Sequence, residues 1–166
     1  NYNQPLTVFT TRLDTLYGVT GIALAPEHPF VDYLIGHGLI SDESQNYVNQ
    51  AKRKLDLERT DLNKDKTGVD TGFFVTHPLT KERIPIWIAD YVIGWYGKGA
   101  VMLVPAHDER DNEFARRYGL EVRHVIRSHD EDKSKDVYAG AGKLMNSGGY
   151  DGLTSEEARE KISKRL

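Results

Sequence analysis

The chain has 166 residues, of which 39% are hydrophobic and 28% charged, with a formal net charge of −3 and no cysteine. That length suits a single domain burying roughly 70% of its unfolded surface. The composition excludes a disulfide framework, a thiolate metal site and a general basic nucleic-acid surface, and no run approaches the roughly 20 apolar residues of a membrane helix.

In chain order, residues 6–10 and 19–25 read as strands joined through a Thr-rich loop. Pro26-Glu27-His28-Pro29 is a turn into a helix over residues 30–35, stopped by Gly36 and Gly38. Ser41 caps a second helix that is expected to run to about Leu57, with Asp42 and Glu43 in its first turn. Residues 58–68 are polar and read as an exposed loop. Residues 69–76 and 84–89 form a hairpin-like pair, and Pro85 suggests that the second strand lies at an edge. Residues 100–104 are nearly all apolar, as in a strand buried on both faces.

A helix is expected over residues 108–118, ended by Gly119. A strand follows at 123–126, then a charge-dense loop at 129–136. Residues 137–150 are Gly-rich with two short strands expected. Thr154-Ser155-Glu156-Glu157 is a capping box that opens a last helix to about Arg165. Short strands among unequal helices, without regular βαβ alternation, point to an α+β fold, a small mixed β-barrel with surrounding helices.

Two polar clusters stand at strand ends and look like two walls of one pocket. The first, Thr10-Thr11-Arg12-Leu13-Asp14-Thr15, sets hydroxyls around a pair of opposite charges. The second runs from Val104 through Pro105, Ala106, His107 and Asp108 to Asp111. Asp108 has the ordinary duty of capping the helix. Asp111 has no such duty; at a helix N-terminus its carboxylate suits clamping an ammonium group, the plain alternative being a surface pair with Arg110 or a lysine.

His107-Asp108 also suggests metal hydrolysis, but the other histidines are scattered and no second His–carboxylate pair exists. Gly94, Gly97 and Gly99 around Lys98 lack the phosphate-loop spacing and instead suit a tight turn or a close backbone approach. Arg110, Arg116, Arg117, Arg123, His124 and Arg127 crowd one segment, either a local basic face or a solvated helix face.

Together these clusters resemble the editing domain (connective polypeptide 1) of class I leucyl-tRNA synthetases. Residues 10–15 are similar to that family's T-T-R-P-D-T. Residues 61–69 and 84–92 resemble its middle, and residues 96–111 resemble Y-G-T-G-A-V-M-x-V-P-A-H-D-x-R-D. The related valyl and isoleucyl domains share the fold type but differ after G-T-G. This chain departs from the pattern at Leu13, which replaces a proline, and at Lys98, which replaces a threonine.

The resemblance implies hydrolysis of the ester between a wrong amino acid and the 3′-terminal adenosine of tRNA(Leu). It implies Asp111, Thr10 and Thr11 as catalytic residues: Asp111 binds the α-ammonium, and the threonines position substrate or water. Thr15, Arg12, Met102, Val104, Asp108, His107 and Tyr96 are implied as substrate-binding, Thr15 excluding leucine and Met102 with Val104 lining the side-chain pocket. Isoleucyl, norvalyl and methionyl esters fit the sieve. No metal or cofactor is implied for editing, ATP and magnesium belonging to a synthetic domain whose motifs are missing.

The chain thus reads as one editing domain of a larger synthetase, a monomer that meets tRNA and the remainder of that enzyme and no membrane. The absence of cysteine and of a secretory signal suits the cytoplasm or an organellar matrix. The rival reading is a non-catalytic tRNA- or amino-acid-binding module with a degenerate site.

Overall fold

The computed structural model describes residues 5–61, 64–128 and 136–166. They fall into two compact units: Asn1–Thr10, Gly21–His77 and Glu82–Met102 form the first, and Thr11–Thr20, Pro78–Lys81 and Leu103–Leu166 the second. Both strands and helices are present, so the α+β class holds. No helix of the described residues is long and apolar enough to cross a membrane.

The first unit is built on β1 (Gly21–Leu24) and three helices, α1 (Pro29–Gly36), α2 (Asp42–Ala51) and α3 (Asp56–Thr60), followed by β2 (Gly68–Thr76), β3 (Arg83–Ala89) and β4 (Ala100–Leu103). The sheet order is β2-β3-β1-β4, with β2 antiparallel and β1 parallel to β3. The sheet is open, with β2 and β4 at its ends, so these strands do not close into the expected barrel. In place of a strand at 6–10 there is one parallel bridge, Phe9 to Val101.

Pro85 lies in a central strand rather than at an edge. It is tolerated because pairing of β3 with β1 begins one residue later, at Ile86, and because β2 bulges beside it, between Asp70 and its own partner Phe74. The helix expected to run to Leu57 breaks after Ala51. Leu55 is extended (φ −70, ψ 150) and starts α3, its N–H donating to the Glu58 carboxylate at 3.1 Å.

The expected exposed loop at 58–68 holds buried cations. Arg59, 6% exposed, donates to both Glu27 carboxylate oxygens and to the carbonyls of Asp90 and Val92. Lys66 donates to the carbonyls of Asp61 and Lys64. A long cation bonded to backbone carbonyls is stable in an interior that an unpaired one could not enter.

The second unit opens with a 3-10 helix, Leu13–Gly18, and continues through α4 (Glu109–Tyr118), β5 (Ile126–Arg127), β6 (Lys143–Leu144) and α5 (Ser155–Ser163). β5 and β6 pair antiparallel, shorter than the strands expected at 123–126 and 137–150. Most of the charge-dense loop, residues 129–135, lies outside the described residues. Gly119 ends α4 in the left-handed conformation (φ 72), and Thr154 with Glu157 forms the capping box of α5. α5 packs on the 3-10 helix, where Gly18 admits no side chain: a Cβ there would lie 2.9 Å from Val125 and 3.3 Å from Val104.

Candidate functional site

The second unit gathers most of the residues singled out from the sequence. After Val104 the chain turns through Pro105 and Ala106, with the His107 N–H donating to the Val104 carbonyl at 2.9 Å. That turn delivers Asp108 to the N-cap of α4, where Oδ1 accepts the N–H groups of Arg110 (2.9 Å) and Asp111 (3.2 Å). Its carboxylate also pairs with the Arg110 guanidinium at 3.2 Å.

Asp111 is 6% exposed, and its Oδ2 accepts the Val104 N–H at 2.9 Å. The residue therefore has a backbone duty that the sequence did not suggest: it ties the first turn of α4 to the backbone of Val104. Asn112 does the same from the next position, its Nδ2 donating to the Pro105 carbonyl at 2.9 Å.

His107 is 5% exposed, with both ring nitrogens committed to backbone. Nδ1 meets the Tyr138 carbonyl at 2.7 Å, and a carbonyl can only accept, so this nitrogen carries the proton. Nε2 accepts the N–H groups of Val125 (3.0 Å) and Ile126 (3.2 Å). The ring is thus neutral, and burial pushes its pKa below the ordinary value against the opposing pull of the Tyr138 carbonyl. His107 holds backbone in place and offers neither nitrogen to a metal or a substrate. Among the described residues no three His, Asp or Glu side chains converge as metal ligands would.

The Thr-rich cluster folds into the 3-10 helix. Thr15 is 2% exposed, and its hydroxyl donates to the Arg12 carbonyl at 2.9 Å. Asp14, fully buried, takes the Arg12 guanidinium at 3.0 Å and has Arg159 at 3.8 Å. Arg12 also reaches the carbonyls of Ala139 (2.8 Å) and Gly140 (3.3 Å).

Residues 138–140 therefore clamp the site. One carbonyl receives His107 and two receive Arg12, which joins the hydroxyl-rich turn to the acidic helix start within one unit. Nothing in this Tyr-Ala-Gly stretch marked it, since its contribution is backbone oxygen alone. Asp14 was legible only as the counter-charge of Arg12.

Thr11 is exposed and Val104 buried, both in the second unit; Thr10, Tyr96 and Met102 belong to the first. There Thr10 is half-buried, Met102 is buried at the end of β4, and Tyr96 is exposed beside the Gly97–Gly99 turn.

Among solved structures, the chain is similar to a LeuRS of Agrobacterium radiobacter K84 in a ternary complex with tRNA and LeuAMS. The TM-score is 0.70 at 36% identity, covering 99% of this chain and 18% of that one. The fold is thus that of a module of an aminoacyl-tRNA synthetase. The family described as leucyl-tRNA synthetase, editing domain, matches residues 1–166, and the chain belongs to that family.

Two curated relatives are named leucine–tRNA ligase. The one from Clostridium perfringens is 47% identical over 159 residues, 96% of this chain, and the one from Rubrobacter xylanophilus is 48% identical over 160 residues, 95% of this chain. The chain spans only 19% and 20% of the length of these relatives.

Proposed function

We propose that the chain hydrolyses the ester joining a wrong amino acid to the terminal adenosine of leucine tRNA, as the post-transfer editing domain of a larger synthetase. The observation that carries this reading is the clamp at residues 138–140, whose carbonyls hold Arg12 of the Thr-rich turn and His107 before the acidic start of α4. Its chemical need is simple: one methylene or a shifted methyl changes binding by only about 1–3 kcal/mol, so a second sieve is required.

In this reading Asp111 holds the substrate ammonium. The Val104 N–H occupies one of the roughly four lone-pair sites of its carboxylate and sets its orientation. Thr15 spends its hydroxyl on the Arg12 carbonyl, so what it contributes to the sieve is shape, its methyl taking the place that the γ-branch of leucine needs. Val104 lines the side-chain pocket, a role this reading shares with Met102. Thr10 and Thr11 position the attacking water, with the free ribose hydroxyl assisting, and Tyr96 binds the RNA end of the substrate. Arg12, Asp108 and His107 act by holding backbone rather than by touching substrate. The aminoacyl ester is labile enough for positioning to suffice, and no metal or cofactor enters the reaction. Isoleucyl, norvalyl and methionyl esters are the substrates, and the protein works as a monomer in the cytoplasm or an organellar matrix.

The test is hydrolysis of isoleucyl- and leucyl-tRNA(Leu). Cleavage of the isoleucyl ester alone, unaffected by a chelator, is expected. Failure to cleave it, with the chain in its full-length synthetase, would refute the reading.

A further inference from the structure

The first unit carries a cluster of aromatic rings at its surface, where large apolar side chains need a reason to be. Trp95 is 77%, Tyr96 53% and Phe9 44% exposed. Tyr96 meets both others edge-to-face, with centroids 5.4 Å from Phe9 and 6.4 Å from Trp95. The cluster is built rather than accidental. The Phe9 N–H donates to the Ala100 carbonyl at 3.2 Å, and Gly97 (φ +57) leaves room for the ring, since a Cβ there would lie 2.7 Å from the Phe9 Cβ. The Trp95 Nε1–H donates to Asp56 at 2.8 Å, which anchors one edge of the indole while the residue stays 77% exposed.

On the same turn, Lys98 is held in the left-handed region (φ 60, ψ 18), which a lysine adopts only under strain. It is exposed, and neither its ammonium nor the Tyr96 hydroxyl has a partner among the described residues. Exposed rings with an uncommitted cation beside them are what single-stranded nucleic acid requires, bases stacking on the rings and phosphate meeting the charge.

We propose that Phe9, Trp95, Tyr96 and Lys98 form a stacking platform for unpaired RNA nucleotides, those that precede the ester-bearing adenosine at the single-stranded end of the tRNA. This rests on the editing reading for its choice of RNA. A protein occupant would be served by the rings alone and gives no reason for a strained, unpaired lysine.

The experiment titrates the chain with a single-stranded RNA hexanucleotide ending in CCA. Of the two tryptophans, Trp87 is 9% exposed, so quenching reports on Trp95. Saturable quenching is expected. With labelled RNA, Trp95→Ala and Phe9→Ala should each weaken binding about 5- to 100-fold, the range for loss of one stacked base. Lys98→Ala should lower the slope of log affinity against log salt by about 0.7.

No quenching, or alanine variants that bind as the parent does, overturns the platform and leaves a protein as occupant. Competition by inorganic polyphosphate without any loss in the ring variants also overturns it, since charge alone would then bind. The same preparations are assayed on isoleucyl-tRNA(Leu). Cleavage without ring-dependent RNA binding sinks the platform alone, whereas ring-dependent binding with no cleavage, by the chain or by its full-length synthetase, sinks the editing reading alone.

Discussion

The Asp111 carboxylate accepts the backbone N–H of Val104 across seven residues of chain, at 2.9 Å and with Asp111 only 6% exposed. One side chain therefore fixes the turn at Val104 against the start of α4, and in the editing reading it also holds the substrate. The two duties separate by substitution. Asp111→Asn keeps an oxygen for the Val104 N–H but loses the charge. Deacylation of isoleucyl-tRNA(Leu) should collapse with it while the urea midpoint stays within about 1 kcal/mol of the parent. Asp111→Ala also orphans the buried N–H and should cost about 1–3 kcal/mol more. Equal stability of the two variants would show that the Val104 bond contributes nothing.

His107 gives a pH dependence whose sign is determined by its surroundings. Burial depresses its pKa below 6.5 in the folded chain, whereas the unfolded chain titrates near that value. Between the two, the unfolded state binds the proton and the folded state does not, so this contribution to stability is lost as pH falls below 6.5. Urea unfolding at successive pH values should show the decline in the parent and a flatter profile in His107→Asn. That variant should also speed hydrogen exchange at the Val125 and Ile126 amides, which His107 Nε2 otherwise accepts. Unchanged exchange at both amides would rule out the backbone role.

Thr15 distinguishes shape from hydrogen bonding. Thr15→Val keeps a branch of the same size and loses only the bond to the Arg12 carbonyl, so leucyl-tRNA(Leu) should stay intact. Thr15→Ala removes the branch and should bring leucyl cleavage toward the isoleucyl rate. A single methyl contact is worth about 1–3 kcal/mol, or about 10- to 150-fold in discrimination. Cleavage of the leucyl ester by the valine variant would show that the hydroxyl carries the exclusion.

The signals that sequence displayed faithfully were local. Asp108 caps α4, Gly119 closes it, and Thr154 with Glu157 opens α5, because each acts on backbone within four residues of itself. What was illegible depends on distant partners. Pro85 marks an edge only if the strands beside it pair regularly, and the bulge that breaks the pattern lies in β2. The stretch at 6–10 has strand-like residues but forms an isolated bridge at Phe9 instead of a strand. Residues 138–140 enter the site through carbonyls, which every residue has, so no side-chain pattern could reveal them.

Arg59 is the sharpest case of a residue misjudged by its chemistry, and it yields a test in the first unit. A cation in a polar stretch reads as exposed, yet its side chain is 3% exposed and forks between the Glu27 carboxylate and the carbonyls of Asp90 and Val92. Glu27 is 38% exposed and can be rehydrated, so the ion pair itself contributes little. The carbonyls cannot be served by another group. Arg59→Met should therefore cost about 3 kcal/mol, the penalty of leaving buried acceptors unpaired, whereas Glu27→Gln should cost under about 1 kcal/mol. Arg59→Lys should behave like methionine more than like the parent, because a single ammonium cannot span the carboxylate and both carbonyls. Urea unfolding of the three variants decides it: a glutamine variant as unstable as the methionine one would place the energy in the ion pair instead of in the carbonyls.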